Sequence, residues 1–122
     1  VVGPAYRPPN AGHDRTDRID RVCRWARDHA TESITAAEAA DVASMSPAGF
    51  SRLFRQATGR TFTRWLNTVR VGLACRQLQF SDTPITDICF QSGFGNVASF
   101  NRWFRREHDC TPSEYRSRFR ST

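Results

Sequence analysis

The chain states one pattern twice. Phe50-Ser51-Arg52-Leu53-Phe54-Arg55 returns fifty residues later as Phe100-Asn101-Arg102-Trp103-Phe104-Arg105. At the same offset, Thr61-Phe62-Thr63-Arg64-Trp65 becomes Thr111-Pro112-Ser113-Glu114-Tyr115. A period of this size in 122 residues means two copies of one supersecondary unit. In each copy two Phe residues four apart mark a buried helical stripe, and Arg occupies the other faces. Two matching helices with basic outer faces suit a ligand that itself repeats, and duplex DNA is such a ligand.

The charge agrees. Eighteen basic residues stand against twelve acidic ones, a net charge of +6, which points to polyanions: nucleic acid first, an anionic membrane second. Every basic residue is Arg. Because Arg also fills regions with no contact role, GC-rich coding explains this better than selection for bidentate phosphate and guanine contacts. Between Asp41 and Asp82 there is no acid, while the span holds Arg52, Arg55, Arg60, Arg64, Arg70 and Arg76. A solvated helix face mixes signs, so this run reads as a positive contact surface.

Other chemistries find little support. Cys23, Cys75, Cys89 and Cys110 show no metal-ligand spacing, and His13, His29 and His108 do not cluster with them. Three of the four sit in apolar helical patterns and read as small buried thiols in a reducing cytoplasm. No cofactor or metal is expected. No apolar run is long enough to span a bilayer, and there is no signal peptide. The chain opens on Val rather than Met, which reads as a piece of a longer protein.

The periodicity predicts seven helices and no strand, an all-α fold. Residues 1–13, rich in Pro and Gly, read as a flexible linker, and residues 14–60 as a first helix-turn-helix subdomain. Its first helix runs from about Thr16 to Ala30, with Ile19, Val22, Cys23 and Ala26 inward and Asp17 and Asp20 in the first turn. Thr35 and Glu38 form a capping box for the second. Ser46 caps a third helix with Pro47 at its first position, and Gly59 stops it. A connecting helix over 61–81 starts at the Thr61 cap. Phe62, Leu66, Val69 and Leu73 line one face, with Leu78 further on. Residues 82–122 form a second subdomain. Thr83 caps its first helix with Pro84 leading, Ser92-Gly93-Phe94-Gly95 turns, and Asn96 caps the next. Phe100, Trp103 and Phe104 point inward. The last helix opens with a Thr111–Glu114 capping box and ends in a basic tail, Arg116, Arg118 and Arg120.

These residues support a family. Ile85-Thr86-Asp87-Ile88-Cys89, then Gly93-Phe94, then Ser99 through Arg105, then Thr111-Pro112-Ser113-Glu114-Tyr115-Arg116 resemble the C-terminal signature of the AraC/XylS transcription regulators. Arg70 and Ala74 fit the family's connecting helix, and Ser46-Pro47 with Phe50 and Phe54 fit its first helix-turn-helix. The resemblance covers about residues 15–120. It departs at Ala39 (more usually Leu), Cys89 (Ala), Phe62 (Pro) and Asp109 (Gly), the last needing a left-handed turn that Asp can adopt. The resemblance implies two helix-turn-helix subdomains on a rigid central helix. It also implies a bacterial, cytoplasmic regulator, most often an activator that touches RNA polymerase. Effector binding and dimerisation would then belong to an absent N-terminal domain, leaving this domain monomeric.

A recognition helix lays its N-terminal half in the major groove. The exposed positions there are Ala48, Ser51 and Arg52 in one copy and Val97, Ala98, Asn101 and Arg102 in the other, matching the family's base-facing positions. Arg52 and Arg102 suit guanine, Asn101 adenine, and Ala48, Val97 and Ala98 thymine methyls. Ala48 and Ala98 equally suit plain helix packing, and Arg102 a phosphate contact or an ion pair with Glu107. Arg55, Arg105 and Arg106 suit phosphates, as do the helix N-termini at Ser46, Pro84 and Asn96. A connecting helix of roughly twenty residues spans about 30 Å, near the ~34 Å of one DNA turn, which predicts two successive major grooves and an asymmetric site. The alternative is a sequence-nonspecific, nucleoid-shaping domain. An enzyme is disfavoured because no nucleophile constellation, metal set or phosphate loop is present. A pure protein-interaction bundle would not need the acid-free Arg run.

Overall fold

The computed structural model describes residues 11–120. Among these it forms seven helices and no strand: α1 (Ala11–Asp28), α2 (Ala36–Val42), α3 (Pro47–Thr58), α4 (Phe62–Phe80), α5 (Ile85–Gln91), α6 (Val97–His108) and α7 (Pro112–Arg120). The first helix starts earlier than its periodicity suggested, so residues 11–13 belong to α1 rather than to a linker, and residues 1–10 lie outside the described residues. Ala11 to Arg15 contains no proline or β-branched residue, and its one poor helix former, Gly12, is not enough to stop a nucleated helix from extending. The acid in its first turn is therefore Asp14, paired with Arg18 at 3.0 Å, rather than Asp17 or Asp20.

Local chemistry sets most of the boundaries. Thr35 and Glu38 form the capping box of α2. The Ser46 hydroxyl accepts from the Gly49 amide at 3.2 Å, Pro47 takes the first position of α3, and Gly59 ends it in the left-handed region at φ 79. Asn96 Oδ1 accepts from the Ser99 amide at 2.7 Å. The Thr111–Glu114 box closes with bonds of 2.8 and 3.0 Å. Asp109 ends α6 at φ 58, so the left-handed turn expected of it forms. One cap differs. Pro84, not Thr83, is the N-cap residue of α5, and no side chain caps it. Thr83 is engaged instead by the Ser81 hydroxyl at 3.1 Å, within a local turn that starts at the end of α4.

Two cores form, and α4 is shared between them. The first gathers Ile19, Val22 and Ala26 of α1, Ala39, Ala40 and Ala43, Phe50, Leu53 and Phe54 of α3, and Phe62 and Leu66 of α4. Phe50, Phe54 and Phe62 meet edge-on or tilted with centroids 5.5–5.7 Å apart, geometries that aromatic quadrupoles favour. The second core gathers Val71, Ala74, Cys75 and Leu78 of α4 with Ile88, Cys89, Phe94, Phe100, Phe104 and Cys110. At ~100° per residue, the α4 side chains of the first core (62, 66, 69, 73) and of the second (71, 74, 75, 78) lie on nearly opposite stripes. Leu78 therefore does not continue the Phe62 face. Phe80 does continue it, beyond the reach of the first subdomain, and is 82% exposed.

The sequence repeat is also a structural one. In the first turn the Met45 amide bonds Ala40 O at 2.9 Å and Ser44 takes φ 56. In the second the Phe94 amide bonds Cys89 O at 3.2 Å and Gly93 takes φ 102. The basic tail of α7 is less free than its composition implies. Arg116 donates to the carbonyls of Leu78, Gln77 and Ser81, and Arg120 to Ser81 O and Asp82. Both cations thus satisfy carbonyls at the end of α4, those of Leu78 and Ser81, while Gln77 O also takes the Ser81 cap.

Candidate nucleic-acid interface

Each recognition helix buries one stripe and presents another. In α3, Phe50 and Phe54 are fully buried, and Ala48, Ser51, Arg52 and Arg55 are exposed. In α6, Phe100 and Phe104 are fully buried, and Val97, Ala98, Asn101, Arg102, Arg105 and Arg106 are exposed. Trp103, expected inward, is half-buried, with the Arg106 guanidinium 5.2 Å from its ring centroid. All seven base-reading candidates are thus solvent-facing, in the first half of their helices.

The electrostatics leave the key cations available. Among the described residues Arg52, Arg55 and Arg102 make no ion pair. The alternative partner for Arg102 is engaged elsewhere: Glu107 Oε2 accepts from the Thr68 hydroxyl at 3.3 Å. Ser51, Arg52 and Arg55 line one concavity with Thr61 and Phe62. Arg52 also borders a second concavity with Arg15, Met45, Gly49, Leu53 and Gln56. Arg15 and Gln56 were not picked out from the sequence. Arg15 lies thirty-seven positions from Arg52, and no local pattern links them.

The helix N-termini offer amides, not the capping side chains. Ser46 Oγ and Asn96 Oδ1 are occupied by the Gly49 and Ser99 amides. The first intrahelical bond of α6 runs from the Phe100 amide to Asn96 O, which leaves Val97 and Ala98 N–H ahead of it. In α3 the corresponding free donor is Ala48, since Pro47 has none. A phosphate at either N-terminus would meet these groups and the positive end of the dipole.

The acid-free span divides into two kinds of arginine. Arg52, Arg55 and Arg76 are exposed, whereas Arg60, Arg64 and Arg70 are half-buried. Arg60 donates to Thr68 Oγ1 at 3.2 Å, and Arg70 to the carbonyls of Ala30 and Glu32 at 2.7 and 2.8 Å. Only the exposed part of the run is thus free to serve as a contact surface. Of the cysteines, Cys75, Cys89 and Cys110 are buried and Cys23 half-buried, and burial pushes the Cys23, Cys75 and Cys89 thiols up. Among the described residues no helix is long and apolar enough to cross a membrane, and no group of three or more side chains could hold a metal ion.

Comparison with known proteins agrees with this geometry. A helix-turn-helix domain family model matches residues 39–118. The transcriptional activator RhaS of Klebsiella pneumoniae is 38% identical over 99 residues, covering 81% of this chain and 36% of that protein. The chain thus spans about a third of that relative's length. The DNA-binding domain of AdpA, a global transcriptional factor solved in complex with a target DNA, superposes with a TM-score of 0.81 at 33% identity. The match covers 85% of this chain and 94% of that one. An AraC-type regulator of Chromobacterium violaceum shares the fold, with a TM-score of 0.79 at 22% identity over 91% of this chain and 97% of that one. With two capped helix-turn-helix units on one shared helix, the chain belongs to the AraC/XylS family of transcription regulators, as a DNA-binding domain of that family.

Proposed function

We propose that this domain reads an asymmetric duplex site, with α3 and α6 entering successive major grooves on one face of the DNA. What carries the reading is the pair of equivalent solvent-facing surfaces, Ala48, Ser51 and Arg52 against Val97, Ala98, Asn101 and Arg102, borne on helices whose opposite faces are locked into separate cores. Nineteen residues make α4 about 28 Å long, close to the ~34 Å rise of one duplex turn. The AdpA domain, with its target DNA, supports the same assignment for this chain. Because the two surfaces differ in sequence, one domain copy specifies a non-palindromic site. Arg52 and Arg102 pair with guanine and Asn101 with adenine, while Ala48, Val97 and Ala98 meet thymine methyls and Ser51 is a polar contact. Arg55, Arg105, Arg106 and the amides beside Ser46 and Asn96 hold phosphates and fix the register.

The domain is a binding module and not an enzyme. By analogy with RhaS we place it in an activator that acts in the cytoplasm and contacts RNA polymerase. The domain itself is monomeric, and effector binding and dimerisation lie in another part of a longer protein. Selection of bound duplexes from a random pool, followed by competition against random DNA, tests the reading. One asymmetric consensus spanning two major grooves supports it. Equal affinity for selected and random duplexes would replace it with nonspecific binding.

A further inference from the structure

Three chain segments that are distant in sequence meet at Arg70. Arg70 stands near the middle of α4, between the two cores. Its Nε donates to Ala30 O at 2.7 Å and its Nη2 to Glu32 O at 2.8 Å, so one planar guanidinium grips two carbonyls of the loop joining α1 to α2. The third segment is the turn between α5 and α6. Gly93 lies so close that a methyl group added there would sit 2.3 Å from Ala30 O and 2.7 Å from Arg70 Nε. The equivalent turn residue of the first unit is Ser44, which also takes a positive φ, 56 against 102 at Gly93, with a side chain in place. Glycine at 93 therefore serves the close approach, not merely the backbone angle. Gly93 lies four residues ahead of the start of α6, so whatever pins this turn also aims the second recognition helix.

We propose that Arg70 is a positioning residue for DNA reading: with Gly93 it clasps the first subdomain's loop to the second subdomain's turn and fixes the relative register of α3 and α6. This rests on the two-groove reading above. It makes Arg70 a determinant of half-site spacing although it touches no base. Without the clasp each subdomain keeps its own core and its own reading surface, but the two can rock about α4. A second bridge, Arg60 to Thr68 to Glu107, lies on the other flank of α4, so loosening is expected to be partial.

The test uses the highest-affinity duplex selected by the wild-type domain from a random pool. Versions of it carry one or two extra base pairs between the half-sites mapped by footprinting. Each inserted pair shifts the second half-site by about 3.4 Å and rotates it by about a tenth of a turn. Wild type is expected to lose at least about tenfold in affinity on one insertion, through misplaced base contacts. Arg70→Met keeps the aliphatic stem and deletes both donors. It is expected to weaken binding to the parent duplex several-fold and to shrink the insertion penalty to about threefold or less. Thermal melts run alongside. A merely structural role would lower the Tm and weaken every duplex alike, leaving the ratio at the wild-type value, and that result overturns the proposal. Should Arg70→Met not fold, Arg70→Lys, which keeps the charge but not the two-carbonyl grip, must show the reduced penalty, and an unchanged penalty overturns it equally. A wild-type domain indifferent to insertion would instead refute the two-groove reading, and the clasp with it.

Discussion

Ser92→Ala is expected to stabilise the domain. Ser92 closes α5 and is completely buried, yet among the described residues its hydroxyl oxygen has no hydrogen-bond partner. Its equivalent in the first unit is Ala43, also completely buried at the end of α2. The two positions share a backbone setting: the amide of each bonds the carbonyl four residues before it, Ala39 for Ala43 and Ile88 for Ser92. Burying a hydroxyl without a partner costs roughly 1–3 kcal/mol by mutational scales. Removing one oxygen leaves a small void whose cost offsets part of the gain, so the net expectation is about 1 kcal/mol. For a domain of this length that raises the Tm by about 4 °C. The assay is thermal unfolding followed by circular dichroism, with the reverse swap Ala43→Ser in parallel. The reverse swap should lower stability by about 1–3 kcal/mol. A Tm for Ser92→Ala at or below wild type would refute the claim that the hydroxyl is buried at a cost. A neutral Ala43→Ser would refute the claim that the two turns are equivalent environments.

Four further outcomes follow from the same geometry. Arg102→Ala should cost about 1–3 kcal/mol in binding and relax selectivity at one base pair, whereas a uniform loss over all duplexes in a titration would make Arg102 a phosphate contact. Arg55→Ala should weaken binding to every duplex and lower the slope of log affinity against log salt by about one, and an unchanged slope would remove it from the backbone contacts. Phe54→Ala empties the centre of the Phe50–Phe62–Trp65 cluster and should cost about 3–5 kcal/mol by denaturant titration, and a loss below 1 kcal/mol would mean that the first core collapses to refill the space. The Thr111 amide, then its hydroxyl, holds the Glu114 carboxyl below the usual carboxylate range. Its folded value is depressed, so the contribution to stability is present above the unfolded value and fades as pH falls through the folded one. An NMR titration of Glu114 should show the depression in wild type and its reduction in Thr111→Ala.

How much of this was legible depends on the range of the interaction. The caps at Thr35, Ser46, Thr61, Asn96 and Thr111 bond an amide three residues away, so short sequence windows contain both partners. The buried Phe pairs lie four apart on one helix and are read equally well. The left-handed position at Asp109 was expected from the family resemblance, which usually has Gly there, and the turn forms. Thr83 misled because its hydroxyl had a nearer competitor in Ser81, which took it into the local turn. Arg70, Arg116 and Arg120 misled differently. Their carbonyl partners lie thirty-five or more positions away, and a carbonyl carries no side-chain signature to find. The exposed reading positions were inferred as the complement of the buried stripe, and the structure exposes every one of them. Which base each contacts depends on DNA geometry that no periodicity records.

The connecting helix was the hardest element to read because it obeys two amphipathic patterns in succession. At ~100° per residue the first core takes the stripe of Phe62, Leu66, Val69 and Leu73, and the second takes the nearly opposite stripe of Val71, Ala74, Cys75 and Leu78. Thr68 and Arg70 fall near the two flanks between those stripes, about 160° apart: Thr68 bonds Arg60 and Glu107, one from each subdomain, while Arg70 bonds the first subdomain's loop and lies against Gly93 of the second. Near its midpoint α4 is therefore held on four sides: two cores, Thr68 and Arg70. A helix gripped only by cores at its two ends would leave the subdomains free to twist around it, since apolar packing is non-directional. The Thr68 hydrogen bonds on one flank, and on the other the Arg70 grip on the loop against which Gly93 packs, oppose that twist, because hydrogen-bond strength falls steeply with angle. Loss of Arg70 alone should therefore release rotation toward one flank, whereas Arg70→Met combined with Thr68→Val should release both. The double variant is expected to be the less spacing-selective of the two, with Tm changes that do not rank them in the same way. Equal spacing selectivity in the single and double variants would mean that the Thr68 bridge adds nothing to the register.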